Sequence, residues 1–133
     1  MIDKYHKTAA TLIKDAKTLD RKYYLDNDIF HSELDNIFYK NWLCIGRSND
    51  VSKKGNYIKF DIGSESIIII RNNKNILNGF FNVCRHRGTR ICIEERGSFS
   101  NTLQCKYHGW TYNLEGKLVG APNMDDVDKF EKK

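Results

Sequence analysis

From Tyr5 to about Leu19 the apolar residues Tyr5, Ala9, Leu12, Ile13 and Ala16 recur at helical spacing and predict one amphipathic helix. A second helical face, Phe30, Leu34, Ile37 and Phe38, spans Asp28 to Tyr39, with Asp26, Asn27 or Asp28 available as its cap. Both helices read as packing elements. From Trp42 onward the period shortens. Ile58, Phe60 and Ile62 alternate with Tyr57, Lys59 and Asp61, as in a half-buried strand, and Gly63-Ser64 turns the chain into the apolar run Ile67 to Ile70. Asn72-Asn73-Lys74-Asn75 suits a hairpin connection, Leu114-Glu115-Gly116 another turn, and further short strands are expected at Ile76–Val83, Thr102–Gln104 and Trp110–Asn113. The pattern predicts a mainly β, α+β chain: N-terminal helices, then an antiparallel β domain with two loops as paired fingertips at one end.

A chain of 133 residues is expected to form one domain with a core that needs no staples. The division expected along it is a helical segment over 1–41, a β domain over 42–122 and a tail over 123–133. No repeat or low-complexity segment is evident. The longest aliphatic run, Ile67 to Ile70, is far below a membrane span, and Met1-Ile2-Asp3-Lys4 opens no signal-peptide pattern, so neither membrane nor export is expected.

The chemistry concentrates in two loops. Two of the four cysteines and two of the four histidines form the close pairs Cys84-Arg85-His86 and Cys105-Lys106-Tyr107-His108. Thiolates stabilise ferric iron and imidazoles are neutral. Two of each make a two-iron, two-sulfide cluster less negative than an all-cysteine one, which is why such clusters sit at roughly −150 to +300 mV against about −400 mV for plant-type ferredoxins. A Rieske-type [2Fe–2S] cluster on Cys84, His86, Cys105 and His108, acting as an electron relay, is the leading reading. In an extended loop, Cys84 and His86 would project to one side and Arg85 away. Gly88 and Gly109 would ease the turns and admit backbone N–H groups to the cluster sulfides. Structural zinc on the same four side chains is an alternative, although zinc fingers usually pair like with like, whereas each arm here holds one of each. Ordinary buried cysteines and satisfied histidines are the plainest alternative. Cys44 and Cys92 read as small buried hydrophobes, and their reduced state would suit the cytoplasm.

The net charge is +5. Arg85, Arg87, Arg90 and Arg96 crowd the first loop and would form either a positive rim that steers an acidic electron donor or ordinary solvated charge. No basic helix or aromatic RNA-binding signature accompanies them, so nucleic acid is not an expected partner. Trp110 and Tyr112 would either shield the cluster, with Tyr112 hydrogen-bonding a cysteine sulfur, or simply pack beneath its loop, which is the simpler reading.

Asn82 to Arg90, Cys105 to Tyr112 and Gly116 to Pro122 together resemble the Rieske domain of ring-hydroxylating, or Rieske non-haem iron, oxygenase alpha subunits. The resemblance implies that Cys84 and Cys105 bind one iron, and that His86 and His108 bind the other, nearer the surface. Lys106 stands where that family often has proline. Thr89 and Tyr107 replace the bracing disulfide of respiratory Rieske proteins, and Trp110 replaces a serine that supports their cluster, which implies a potential in the lower part of the range. The resembling oxygenases are oxidoreductases that hydroxylate aromatic rings or demethylate small quaternary amines. They take electrons from a ferredoxin or flavin reductase, pass them to a mononuclear iron held by two histidines and a carboxylate, and often form trimers. Beyond the four ligands only His6 and His31 remain, so that catalytic domain is expected outside this chain, and this chain has no catalytic residues of its own. A free-standing Rieske ferredoxin is the alternative. Tyr23-Tyr24, Asp28-Ile29-Phe30, Glu33, Ile37-Phe38 and Trp42 resemble the oxygenase pattern instead.

Overall fold

The computed structural model describes residues 18–124 and 126–132. The chain divides into two compact units, Met1–Asn41 and Trp42–Lys133. The helix expected over Tyr5–Leu19 lies outside the described residues, apart from Thr18 and Leu19, which are not helical. In the first unit a single turn, α1 (Lys22–Leu25), precedes α2 (Asn27–Glu33), which runs on as a π-helical turn over Leu34–Phe38. Asp26 is the cap. Its Oδ1 accepts the Asp28 and Ile29 N–H groups at 2.8 and 3.4 Å, which satisfies two of the free donors at the helix start. Of the expected apolar face only Leu34 is buried, and Phe30, Ile37 and Phe38 stay exposed. The wider π turn breaks the 3.6-residue period on which that face depended.

The second unit is built from two antiparallel sheets. The larger has the order β3-β2-β1-β4, from β1 (Asn56–Ile62), β2 (Glu65–Arg71), β3 (Leu77–Phe81) and β4 (Arg96–Ser98); the smaller has β5 (Thr102–Gln104), β6 (Thr111–Asn113) and β7 (Leu118–Gly120) in sequence order. The expected turns are present. Ile62 pairs with Glu65 across Gly63-Ser64, and Asn72 shapes the next hairpin by accepting the Lys74 and Ile76 N–H groups on its Oδ1, both at 2.9 Å. The short strands β4 and β7 carry no periodicity of their own and exist through pairing with β1 and β6.

Strand β1 is turned over relative to its apparent apolar face. Tyr57 lies opposite Ile70 and Lys59 opposite Ile68, and directly opposed residues share a face of the sheet. That face is the inner one, because Tyr57, Ile68 and Ile70 join Cys92, Leu103 and Leu114 in one buried cluster that draws on both sheets. Ile58 is also buried, whereas Phe60 and Ile62 are only half-buried. Lys59 is accommodated on the inner face by an ion pair with Asp61 at 2.7 Å, its stem covering apolar surface. No helix among the described residues is long and apolar enough to cross a membrane.

Candidate metal centre

The two loops expected to carry the ligands share one backbone design. Cys84 N–H donates to the Thr89 carbonyl at 2.8 Å and Gly88 N–H donates back to the Cys84 carbonyl at 2.9 Å; Cys105 N–H donates to the Trp110 carbonyl at 2.8 Å and Gly109 N–H to the Cys105 carbonyl at 3.0 Å. Each loop is thus closed four and five residues after its cysteine. Both glycines have φ of +73°, the left-handed region that other L-residues rarely adopt. An added Cβ would meet nothing within 4 Å at Gly88 and only ordinary contacts at Gly109, so glycine is required there for its backbone angle and not for space. The extended Cys84-Arg85-His86 path expected from the sequence is replaced by a tight turn over residues 85–87, which the two closing hydrogen bonds impose.

Sulfur and imidazole separate by depth. Cys84 and Cys105 are 1% and 2% exposed and lie in one buried cluster with Trp110, Tyr112, Leu118 and Ala121. His86 is half-buried and His108 exposed, with ring centroids 4.7 Å apart in an edge-to-face contact. The histidine follows its cysteine by two residues in one loop and by three in the other. Identical turns therefore present the two rings from different angles.

The surroundings suit a charged centre at this place. The Tyr112 hydroxyl accepts Arg85 N–H at 3.0 Å and lies 3.4 Å from the Cys84 sulfur. Burial, then the nearby Cys84, raises its pKa to about 12, so Tyr112 stays protonated and keeps a proton to donate. Loss of solvent, then His108 and then Arg87, hold the His86 imidazole below its ordinary value, which favours the neutral form that binds metal. Trp110 stacks on His86 at 4.8 Å and 8°, and its buried Nε1 has no hydrogen-bond partner among the described residues. Among the described residues no three His, Cys, Asp or Glu side chains come close enough to hold a single ion. A tetrahedral zinc site needs four ligands on one point, whereas a two-iron cluster asks only a buried sulfur pair on one side and an outer imidazole pair on the other.

Several expectations change at this scale. Cys92 is buried as expected, but Cys44 is exposed, because the segment before the first strand of the sheet leaves it outside both core clusters. Of the four arginines, Arg90 pairs with Asp61 at 3.4 Å and Arg96 with Asp50 at 3.7 Å. Among the described residues, the part of the rim without an ion-pair partner narrows to Arg85 and Arg87. Met124 and Phe130, placed by the sequence pattern in a tail, pack against the sulfur-bearing cluster, Phe130 meeting Trp110 edge-on at 5.7 Å. The only local signal for this was an aromatic residue within a charged stretch.

Residues 41–131 match the family described as the Rieske [2Fe-2S] domain. The chain is 34% identical over 118 residues to the carnitine monooxygenase oxygenase subunit of Escherichia coli K12, covering 89% of this chain and 31% of that protein. It is 38% identical over 104 residues to the glycine betaine monooxygenase oxygenase subunit of Pseudomonas aeruginosa UCBPP-PA14, covering 78% and 24%. A solved quaternary ammonium Rieske monooxygenase, described in terms of carnitine oxidation by gut microbiota and inter-subunit electron transfer, superposes with a TM-score of 0.76 at 35% identity, covering 84% of this chain and 30% of that one. The chain therefore spans about a third or less of these relatives. A domain of this kind implies a Rieske-type [2Fe–2S] cluster as its cofactor. With two matched loops, buried sulfurs beneath outer imidazoles and a family match over most of its length, the chain belongs to the Rieske [2Fe–2S] domain family.

Proposed function

We propose that this chain is the electron-relay domain of a Rieske non-haem iron oxygenase alpha subunit, with Cys84 and Cys105 holding one iron of the cluster and His86 and His108 the other. A bound [2Fe–2S] cluster supplies storage of a single electron. The observation that carries the reading is the depth order of the four side chains: both sulfurs sealed in the core and both imidazoles toward solvent.

That order has a chemical use. The buried pair keeps water from the thiolates, Tyr112 offers its hydroxyl to Cys84, and the Gly88 and Gly109 turns fix the loops that hold all four donors. The outer pair is the short way in and out for an electron. Arg85 and Arg87 give that end a positive rim that favours an acidic donor, a ferredoxin or flavin reductase. The acceptor is a mononuclear iron in a catalytic domain that the described residues do not contain. The relatives oxidise carnitine and glycine betaine, which supports a small quaternary ammonium compound as the substrate of the complete oxygenase. The solved relative's inter-subunit electron transfer supports a homo-oligomer in which the relay serves a neighbouring subunit.

Anaerobic purification followed by iron and acid-labile sulfide analysis tests the assignment. Iron and sulfide in equal amounts, with the electron paramagnetic resonance signal of a reduced His-ligated cluster, are expected. Alanine at His86 or His108 should abolish that signal. Zinc in place of iron and sulfide would defeat the proposal.

A further inference from the structure

The two ligand loops close alike at their tips and differently at their bases. The second is the end of a true hairpin: Gln104 pairs with Thr111, Leu103 with Tyr112 and Thr102 with Asn113 directly below it. The first has no such ladder. β3 enters it, but β3 pairs with β2, and the returning residues 89–95 form no strand. One side chain occupies the missing rung. Asn82 is 2% exposed, and its Nδ2 donates to the Cys92 carbonyl at 2.7 Å while its Oδ1 accepts the Cys92 N–H at 2.8 Å. Two opposed residues of an antiparallel ladder exchange hydrogen bonds in the same way. The remaining capacity of the amide is also used, Oδ1 accepting Ile91 N–H at 2.9 Å and Nδ2 donating to Ser66 Oγ at 3.1 Å. Asn82 N–H in turn donates to the Ser66 carbonyl at 2.8 Å, so the amide is anchored on β2 and not adrift with the loop.

We infer that Asn82 is the positioning residue of the first ligand pair, a side-chain amide standing in for the strand pairing that holds the second, and so fixing Cys84 and His86 relative to Cys105 and His108. The inference rests on the ligand assignment proposed above. Asn82 lies two residues before Cys84, with Val83 between them, so a displacement at the base passes directly to the sulfur. The second loop has three backbone pairs to share such a displacement.

The test compares the full chain, purified anaerobically, as wild type, Asn82→Ala, Asn82→Asp and Ile70→Ala. The last lies in the core of β2 and reports general destabilisation. Asn82→Ala should release iron to a chelator about 10- to 100-fold faster than wild type, the usual cost of losing support behind a metal ligand, and should shift the g values of the reduced cluster. Ile70→Ala should lower the melting temperature without shifting those g values. If Asn82→Ala fails to fold, Asn82→Asp decides, since it keeps size and both acceptor contacts and loses the two donations, to the Cys92 carbonyl and to Ser66 Oγ; release and g values should move in the same direction. A folded Asn82 variant whose g values and release rate match those of wild type or of Ile70→Ala would overturn the inference. Wild-type chain lacking iron and sulfide would overturn the ligand assignment, and this inference with it.

Discussion

Tyr112 shows how much one hydroxyl can do beside a thiolate. A hydrogen bond to sulfur stabilises the more negative, reduced cluster and so raises the potential. Tyr112→Phe removes a bond worth about 0.5–1.5 kcal/mol, which for one electron corresponds to a fall of roughly 20–60 mV in midpoint potential, read by redox titration. An unchanged midpoint would leave Tyr112 as packing alone. The cysteines divide by environment in the same way. Burial pushes the Cys92 thiol up to about 11, against the opposing pull of Tyr57 and Lys59, while Cys44 lies exposed. A maleimide added to native chain at neutral pH should therefore modify Cys44 and spare Cys92 until the chain is unfolded, which peptide mapping would show. Residue types and spacing made the four candidate ligands legible in the sequence. Exposure was not legible, because it depends on what the rest of the chain lays over each position: Cys44 and Cys92 look alike in sequence and differ in the fold.

The loop is the element that matters. Its two copies were readable because each has a glycine four residues after its cysteine, and the structure gives both glycines the same φ. Gly88→Ala and Gly109→Ala should each cost about 1–2 kcal/mol, the penalty of holding an L-residue in the left-handed region, with neither incurring an added steric cost. Denaturant melts of the two variants should agree closely; a much larger loss at one would mean that its loop is held by contacts beyond the turn. Strands were legible where their own residues alternate or branch, as in β1 and β2. β4, β7 and the half-buried placement of Phe130 were not, since each depends on a partner distant in sequence. The inner face of β1 was not legible for the same reason. Alternation tells that a strand has two faces, and only the register opposite Ile68 and Ile70 tells which one is inside.

Across the second unit, His86 links folding to pH. His86 in the metal-free folded chain has a pKa below the ordinary 6.5, through lost solvent and the charges of His108 and Arg87. The unfolded chain then binds the proton first. Metal-free protein should keep full stability above about pH 6.5 and lose it as pH falls through the ordinary value toward the depressed one. Thermal melts of metal-free chain across pH 5–8 check the sign. His86→Asn should flatten that part of the curve.

Sequence alone determined the chemistry on offer and its spacing: which sulfurs and imidazoles are present, how many residues separate them in each loop, and where a glycine permits a turn. These follow from neighbours along the chain, whose distances are set by covalent geometry. The tertiary structure decided which donors are dry and which are wet, which arginines are already paired, and which face of β1 meets the core. Those outcomes come from contacts between residues tens of positions apart, and no local pattern encodes which distant partner will arrive.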